Sequence, residues 1–357
     1  MKPAVIIAEA GVNHNGSLDL ALRLVDVAVD AGADIVKFQT FDAKALATAG
    51  AGRAKYQVEN IGEDGSQLEM LQALSLNEAS HVAIVDHCRA RNIAFMSTAF
   101  DFRSFEFLKR FDMPYIKIPS GDLTFGPMLL AAGESGQRVI LSTGMGNLQE
   151  IRDALAVLAF GRLNPGKPAN LPAMQEHLNT DAAQASLRDF VTVLQCVTQY
   201  PCPAEYASLA AMGTIRSTFG LPVGYSDHTL GIAVPIAAVA RGACMIEKHV
   251  TLDRSMPGPD HAASLEPGQF AEMVTAIREV ESAIGDGVKE ANRAEADNIA
   301  VARRSLVAAR PIGGAERIEP DMLTAKRPGT GISPMRFWDI VGRTAGRDYQ
   351  TDEPIES

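Results

Sequence analysis

Residues 34–40 read DIVKFQT, an apolar run that ends in polar side chains able to do chemistry. Seven further runs have the same form: VIIAE (5–9), IAFMST (93–98), YIKIPSGD (115–122), VILSTG (139–144), VTVLQCV (191–197), PVGYSDH (222–228) and CMIEKHV (244–250). A strand that is buried on both faces is expected to be a continuous stretch of Val, Ile and Leu. Eight such runs separated by helix-length segments predict an α/β fold, a (β/α)₈ TIM barrel, whose active site is built after the C-terminal strand ends.

The segments between the runs have apolar residues at helical spacing, at 17–33, 76–91, 102–111, 148–160, 207–219, 231–241 and 267–284. Two stretches interrupt this rhythm. Residues 43–66 form a long βα connection, which we interpret as a lid on the catalytic face. Residues 161–187 are polar and contain proline, and because they precede the sixth run we expect them on the opposite, non-catalytic face. We expect a barrel domain at 1–285, a linker helix at 286–304 and a small β-rich domain at 305–357.

Composition limits the classes of function. The 357 residues carry a net charge of −10 without a run of Lys or Arg, which argues against nucleic acid and anionic membranes as partners. No apolar run approaches the roughly 18 residues of a membrane span. The four cysteines have neither metal-binding nor redox spacing, as expected of reduced thiols in a cytoplasmic protein.

Two lysines lie inside predicted buried strands, Lys37 in DIVKFQT and Lys117 in YIKIPSG. A buried ammonium is costly unless an anion accompanies it. Ser120 and Ser142 follow closely, and each is near a glycine that lets backbone amides approach a ligand. Together they predict a phosphate or carboxylate pocket; the alternative is that each lysine faces outward or forms an ion pair.

Two histidines end neighbouring runs, His228 the seventh and His249 the eighth. Convergent imidazoles with the nearby Glu9 would suit a borderline divalent ion and leave positions open for substrate. The alternative is two histidines that are hydrogen-bonded to neighbouring loops. Asp122, Glu247 and Asp260 add carboxylates near the strand ends, whereas Asp227 could cap the following helix.

The ordered set AEAGVNHNG, VKFQT, STAF, KIPSGD, LSTGM, QYPCP, GYSDHTLG, EKHVTLD, PGPDH and KRPGTGIS resembles the sialic acid synthase family over nearly the whole chain. This resemblance implies condensation of phosphoenolpyruvate with an open-chain N-acetylmannosamine-type sugar, phosphate release by C–O cleavage, and a C-terminal antifreeze-like (SAF) domain that closes the partner's site in a domain-swapped homodimer. It implies a divalent metal, Mn²⁺ with Mg²⁺ or Co²⁺ as alternatives.

The resemblance also implies roles for individual residues. His228 and His249 would bind the metal, and Glu9 would handle the attacking water, with Lys37, Lys117 and Asp122 as further catalytic residues. The phosphoenolpyruvate-binding set is Lys37, Thr98, Lys117, Ser120, Ser142, Thr198 and Ser226. The sugar-binding set is Gln39, Asp122, Tyr200, Asp260 and Arg327. Two positions depart from some family members, which have Glu at 122 and Asn at 198.

The segments FDAKALATAGAGRAKYQ, SQLEML and SLEP most resemble those of the N,N′-diacetyllegionaminate branch of the family. In that branch the acceptor is 2,4-diacetamido-2,4,6-trideoxymannose. An N-acetylneuraminate synthase acting on N-acetylmannosamine is the first alternative. A Schiff-base aldolase using Lys37 or Lys117 and a non-enzymatic carbohydrate-binding protein are the others.

Overall fold

The computed structural model describes residues 2–62 and 64–356, and in this part of the chain eight parallel strands close into a barrel in the order β1 to β8. The strands are β1 Val5–Gly11, β2 Ile35–Thr40, β3 Ala94–Ala99, β4 Ile116–Ile118, β5 Val139–Ser142, β6 Val191–Cys196, β7 Val223–Asp227 and β8 Met245–His249. Each strand lies within one of the eight runs or within one residue or two of it. The predicted TIM barrel is therefore confirmed.

The helices of the barrel unit are α1 Leu18–Asp30, α2 Ala43–Leu46, α3 Lys55–Ile61, α4 Gln67–Leu74, α5 Glu78–Ala90, α6 Phe102–Leu108, α7 Gly126–Glu134, α8 Leu148–Leu163, α9 Leu171–Leu178, α10 Asp181–Phe190, α11 Ala210–Phe219, α12 Ala233–Ala240 and α13 Pro267–Ala283. Short 3₁₀ turns lie at Ser120–Asp122, Ala204–Tyr206 and His261–Ala263. No helix in the described ranges is long and apolar enough to cross a membrane.

The two segments that interrupt the predicted strand–helix rhythm contain helices. Residues 161–187 extend α8 to Leu163 and then form α9 and most of α10, because Asn170 and Thr180 accept hydrogen bonds from backbone amides at the helix starts. Residues 43–66 contain α2 and α3, and α4 follows directly.

Inward-facing side chains alternate along the strands and form layers. The lower layer is apolar and consists of Ile7, Ile35, Met96, Ile140, Leu194 and Met245. Two residues further along each strand, the next layer is polar and contains Glu9, Lys37, Thr98, Ser142, Cys196 and Glu247. Because side chains repeat every two residues in a strand, this alternation places an apolar floor beneath a polar chamber.

The chain divides after Gly285, and residues 286–356 form a second unit. This unit contains α14 Ala296–Ala302 and α15 Phe337–Ile340, 3₁₀ turns at Arg293–Glu295, Pro320–Met322 and Pro334–Arg336, and the antiparallel pair β9 Ser305–Ala308 and β10 Leu323–Lys326. Its own core includes Leu306, Ile312, Ile340 and Tyr349. The predicted linker helix at 286–304 is shorter than expected and belongs to this unit.

Candidate active site

A cavity of about 220 Å³ opens at the C-terminal ends of the barrel strands. Thirteen of the predicted site residues line it: Glu9, Lys37, Gln39, Thr98, Lys117, Ser120, Ser142, Thr198, Tyr200, Ser226, His228, His249 and Asp260. Asp122 is not in the lining; it ends the 3₁₀ turn after β4, and its Oδ2 atom is buried without a hydrogen-bond partner. Arg327 belongs to the C-terminal unit, directly before a cis peptide bond to Pro328.

The two lysines are neutralised by two carboxylates at the base of the cavity. The Lys37 ammonium lies 2.5 Å from Glu9 Oε2 and 3.6 Å from Glu247 Oε2. Lys117 donates to both oxygens of Glu247, at 2.7 and 2.9 Å, and Ser226 donates to Oε1 at 2.9 Å. The alternative of ion-paired lysines therefore describes the structure, and these four side chains carry no net charge.

Burial and pairing act against each other in this group. Burial alone would lower the pKa of Lys37, but the attraction of Glu247 and Glu9 outweighs it and raises that pKa. For Lys117, burial prevails over the attraction of Glu247 and lowers the pKa. Burial also raises the pKa of Glu9, although Lys37 opposes this. The chamber therefore holds charge at a high desolvation cost, which is typical of a functional site.

Small polar groups beside the lysines form a cradle with unused hydrogen-bonding capacity. The Gly144 amide donates to Ser120 Oγ at 3.0 Å, and Lys37 donates to Thr98 Oγ1 at 3.2 Å. The hydroxyls of Ser142 and Thr198 are buried without partners. Buried polar groups are rarely left unsatisfied unless a ligand completes them, so this cradle suits the oxygens of a phosphate or a carboxylate.

The cradle has free space because residue 144 is a glycine. A Cβ atom at Gly144 would lie 2.3 Å from Thr198 Oγ1 and 2.8 Å from Ser120 Oγ. The hydroxyl of Thr198 therefore lies at the cradle, close to the backbone of residue 144. The space beside Ser120 depends on the missing side chain at position 144.

The rings of His228 and His249 lie 5.4 Å apart, centroid to centroid. His228 Nδ1 is 2.7 Å from the Val197 carbonyl, to which it donates its proton, so that in the neutral ring Nε2 carries the lone pair. His249 Nδ1 is buried, has no hydrogen-bond partner and lies 4.0 Å from Asp260 Oδ2. Burial, assisted by the positive charge of Lys37, holds the pKa of His249 well below its usual range, which keeps this imidazole neutral.

The histidine pair provides two of the ligands that a divalent ion needs. Among the described residues, no group of three or more His, Cys, Asp or Glu side chains is arranged as a metal site. The orphaned His249 nitrogen and the hydrogen-bonded His228 nevertheless have the chemistry of neutral metal ligands. The residues present therefore fit an ion that takes its remaining ligands from substrate or water, and metal binding stays a prediction.

Aromatic residues and the long β2 connection form the upper wall. The Tyr200 ring lies 4.0 Å from that of His228 and 5.0 Å from that of Tyr56. Asn60 donates to the Pro259 carbonyl at 2.6 Å, so residues 55–61 reach the loop that follows β8. Burial raises the pKa of Asp260, beside this wall, to about 6.

Several lining residues were not predicted as site residues. Val12, Tyr56, Gln57, Met70, Leu71, Leu74 and Phe100 line the cavity, and so does Cys196. The signal available for α4 was the helical spacing of Met70, Leu71 and Leu74 within the long connection.

Asp227 has a different role from the one predicted for it. It accepts hydrogen bonds from the amide and hydroxyl of Thr229 and pairs with Lys248 at 2.5 Å, with both side chains fully buried. The following helix α12 begins at Ala233 without a side-chain cap. Asp227 therefore holds the β7–β8 wall together and does not cap a helix.

Comparison with known proteins defines the class. The profile of the NeuB family matches residues 24–289, and that of the SAF domain matches residues 303–356. The chain belongs to the NeuB family, which confirms the predicted resemblance and its C-terminal domain.

Individual relatives are more specific. The chain is 44% identical to the N,N′-diacetyllegionaminic acid synthase of Campylobacter jejuni over 99% of both proteins. It is 42% identical to the enzyme of the same name from Legionella pneumophila, covering 94% of this chain and 89% of that protein. The crystal structure of an N-acetylneuraminic acid synthetase from Leptospira borgpetersenii is similar with a TM-score of 0.67 and 32% identity, over 84% of this chain and 90% of that one.

Proposed function

We propose that this protein is a phosphoenolpyruvate-dependent nonulosonic acid synthase, a transferase whose acceptor is 2,4-diacetamido-2,4,6-trideoxymannose and whose product is N,N′-diacetyllegionaminate. The observation that carries the proposal is the buried cradle of Lys37, Lys117 and free hydroxyls beside two convergent histidines at the mouth of the barrel. The two legionaminic acid synthases that share more than two-fifths of its sequence support the choice of acceptor.

The base of the cavity is suited to phosphoenolpyruvate. Its phosphate and carboxylate would take the unused hydroxyls of Ser142 and Thr198, with Ser120, Ser226 and Thr98 completing the polar surroundings. Lys37 and Lys117 would share their charge between this anion and their present carboxylate partners. Preorganised cations in a water-poor chamber stabilise anionic transition states without reorganising.

His228 and His249 would hold a divalent ion, with Mn²⁺ as the preferred species and Mg²⁺ or Co²⁺ as alternatives. When bound, such an ion polarises the aldehyde of the open-chain sugar. Tyr200, Gln39, Asp260 and Asp122 would orient the sugar hydroxyls and acylamino groups. Of these, Tyr200 is fixed by its packing on the His228 ring.

The reaction balances with water as the third reactant. C3 of phosphoenolpyruvate forms a bond to the aldehyde carbon, water adds at C2, and the C2–O bond to phosphate breaks to release inorganic phosphate and the 2-keto acid. Glu9 would accept the proton of this water, since it lies at the end of β1, within 2.5 Å of Lys37, and receives a hydrogen bond from Gln39 at 3.3 Å. The attraction of Lys37 favours the ionised form of this carboxylate and opposes the effect of burial, which raises its pKa.

We further propose a cytoplasmic homodimer in which the partner subunit's Arg327 completes the sugar site. Mixing an R327A variant with an E9Q variant tests this arrangement. Random mixing gives mixed dimers with one intact site, so about a quarter of the wild-type activity should return. Two inactive variants that stay inactive when mixed and re-equilibrated would exclude the shared site.

The activity is tested with phosphoenolpyruvate, Mn²⁺ and a panel of mannosamine derivatives, with products identified by mass spectrometry. In ¹⁸O-water the released phosphate should be free of label, because the P–O bond is not broken. EDTA should abolish turnover and Mn²⁺ restore it. A Schiff-base aldolase predicts the opposite, namely insensitivity to EDTA and trapping of Lys37 or Lys117 by borohydride in the presence of pyruvate.

A further inference from the structure

One side of the cavity is made of apolar side chains although its base is charged. Val12 follows β1, Phe100 follows β3, and Met70, Leu71 and Leu74 project from α4. These five residues are called the apolar wall here. Val12, Met70 and Leu74 belong to a hydrophobic cluster that is separate from the barrel core, and Leu71 and Phe100 pack against that cluster.

The apolar wall offers no spare hydrogen-bonding group. Gln57, a polar lining residue of the same connection, accepts from the Ala54 amide at 2.8 Å and donates to the Tyr56 hydroxyl at 3.4 Å. A hydroxyl group placed against Met70, Leu71 or Leu74 would therefore lose its water without gaining a protein partner.

The apolar wall lines the same cavity as the residues proposed for the acceptor, and the connection that carries α4 also contacts them through α3. Tyr56, on α3 of the same connection, stacks on Tyr200, and Asn60 is bonded to Pro259, next to Asp260. Tyr200 and Asp260 are two of the proposed sugar-binding residues, whereas the phosphoenolpyruvate groups match the cradle below. Of the two organic reactants, the acceptor is the one that carries methyl groups.

We infer that the apolar wall binds the methyl substituents of the acceptor and makes this enzyme selective for a 6-deoxy, acylamino sugar over its 6-hydroxy counterpart. This inference rests on the proposed function and assigns the selectivity to α4. Of the three apolar-wall residues on this helix, Leu71 is the most accessible. An apolar pocket rejects an otherwise identical ligand with an added hydroxyl by up to about 100-fold, because the hydroxyl is buried unpaired.

The test compares two acceptors that differ by one oxygen atom, 2,4-diacetamido-2,4,6-trideoxymannose and 2,4-diacetamido-2,4-dideoxymannose. For the wild-type enzyme with Mn²⁺, kcat/KM should favour the 6-deoxy sugar by about 10- to 100-fold. Leu71→Gln supplies a hydrogen-bonding partner, and the preference should fall by about 10-fold or more. A general loss of activity cancels in this ratio because both sugars are measured on the same protein.

Leu68→Gln is the matched control. Leu68 lies on the same helix, is also partly buried and packs on the same cluster, but it does not line the cavity. The Leu68→Gln enzyme should favour the 6-deoxy sugar in kcat/KM by the same factor as the wild type. An unchanged ratio in Leu71→Gln, or an equal change in Leu68→Gln, overturns the inference while the proposed function stands; a wild-type enzyme that consumes phosphoenolpyruvate with neither sugar overturns both.

Discussion

Glu247 is the counterion on which both buried lysines depend, and its replacement by Gln tests the electrostatics of the chamber. Glutamine keeps the shape and can still accept the hydrogen bond from Ser226, but it removes the negative charge that lies 2.7 Å from Lys117 and 3.6 Å from Lys37. The four-residue group then changes from neutral to a net charge of one. Because these side chains are at most 7% exposed, solvent cannot compensate for the change.

The expected loss of unfolding free energy is about 3–5 kcal/mol, the usual cost of removing one partner from a buried ion pair. Release of the Lys117 proton sets an independent upper limit on this loss of unfolding free energy. Holding Lys117 neutral at pH 7, against its ordinary pKa of 10.5, costs about 1.4 × 3.5, or roughly 5 kcal/mol. The loss cannot greatly exceed this value because the lysine would give up its proton first.

A Lys117 that stays charged and a Lys117 that releases its proton predict different pH dependences of the unfolding free energy. If Lys117 is neutral in the folded variant and protonated in the unfolded chain, unfolding takes up a proton. The stability of Glu247→Gln should then rise by about 1.4 kcal/mol per pH unit between pH 7 and pH 9, relative to the wild type. The deficit should therefore shrink in alkaline buffer.

Urea unfolding followed by circular dichroism at pH 7 and pH 9 measures both quantities. Fluorescence is unsuitable because the single tryptophan, Trp338, belongs to the C-terminal unit. Glu272→Gln, on the exposed face of α13, is the matched control and should stay within about 0.5 kcal/mol of the wild type. A Glu247→Gln protein as stable as this control would refute the assignment of Glu247 as the counterion.

Three further predictions concern groups around the chamber. Burial raises the pKa of Asp122 to about 6, so the folded state holds the carboxyl proton more tightly than the unfolded chain does. Asp122→Asn should therefore raise the Tm at pH 7.5, and this gain should decrease below pH 6 and disappear near pH 4. The same variant should have a lower kcat. An unchanged Tm difference across that range would contradict the shift. Lys248→Met should cost about 3–5 kcal/mol because it leaves Asp227 buried alone, and the double variant with Asp227→Leu should recover most of this loss in urea unfolding. Gly144→Ala should raise the KM for phosphoenolpyruvate far more than the KM for the sugar, since its Cβ would enter the cradle; equal effects in steady-state kinetics would place the clash elsewhere.

The sequence was informative where a local pattern determined the result. The apolar run around Lys37 predicted a buried strand that carries a charge, and the end of that strand is where the cavity lies. The same argument placed Lys117 and both histidines. In a barrel, the C-terminal strand ends converge whatever the order of the strands, so the location of these side chains followed from the fold alone.

The pairing of the lysines could not be obtained in this way. Glu247 is 130 residues from Lys117, and only closure of the barrel with the observed register directs both side chains to the same point. The apolar wall was missed for a related reason. The helical spacing in α4 extends over only eight residues and does not show which cavity the helix faces, and its partners Val12 and Phe100 come from other connections.

The separate hydrophobic cluster behind the apolar wall has a consequence for how acceptor choice could change during evolution or engineering. Val12, Phe41, Ala43, Met70 and Leu74 stabilise one another apart from the barrel core. Substitutions in α4 therefore change the packing of this separate cluster and not the packing around the catalytic chamber. The portion of the chain that selects the sugar can diverge, or be exchanged between related enzymes, while the machinery that handles phosphoenolpyruvate keeps its geometry.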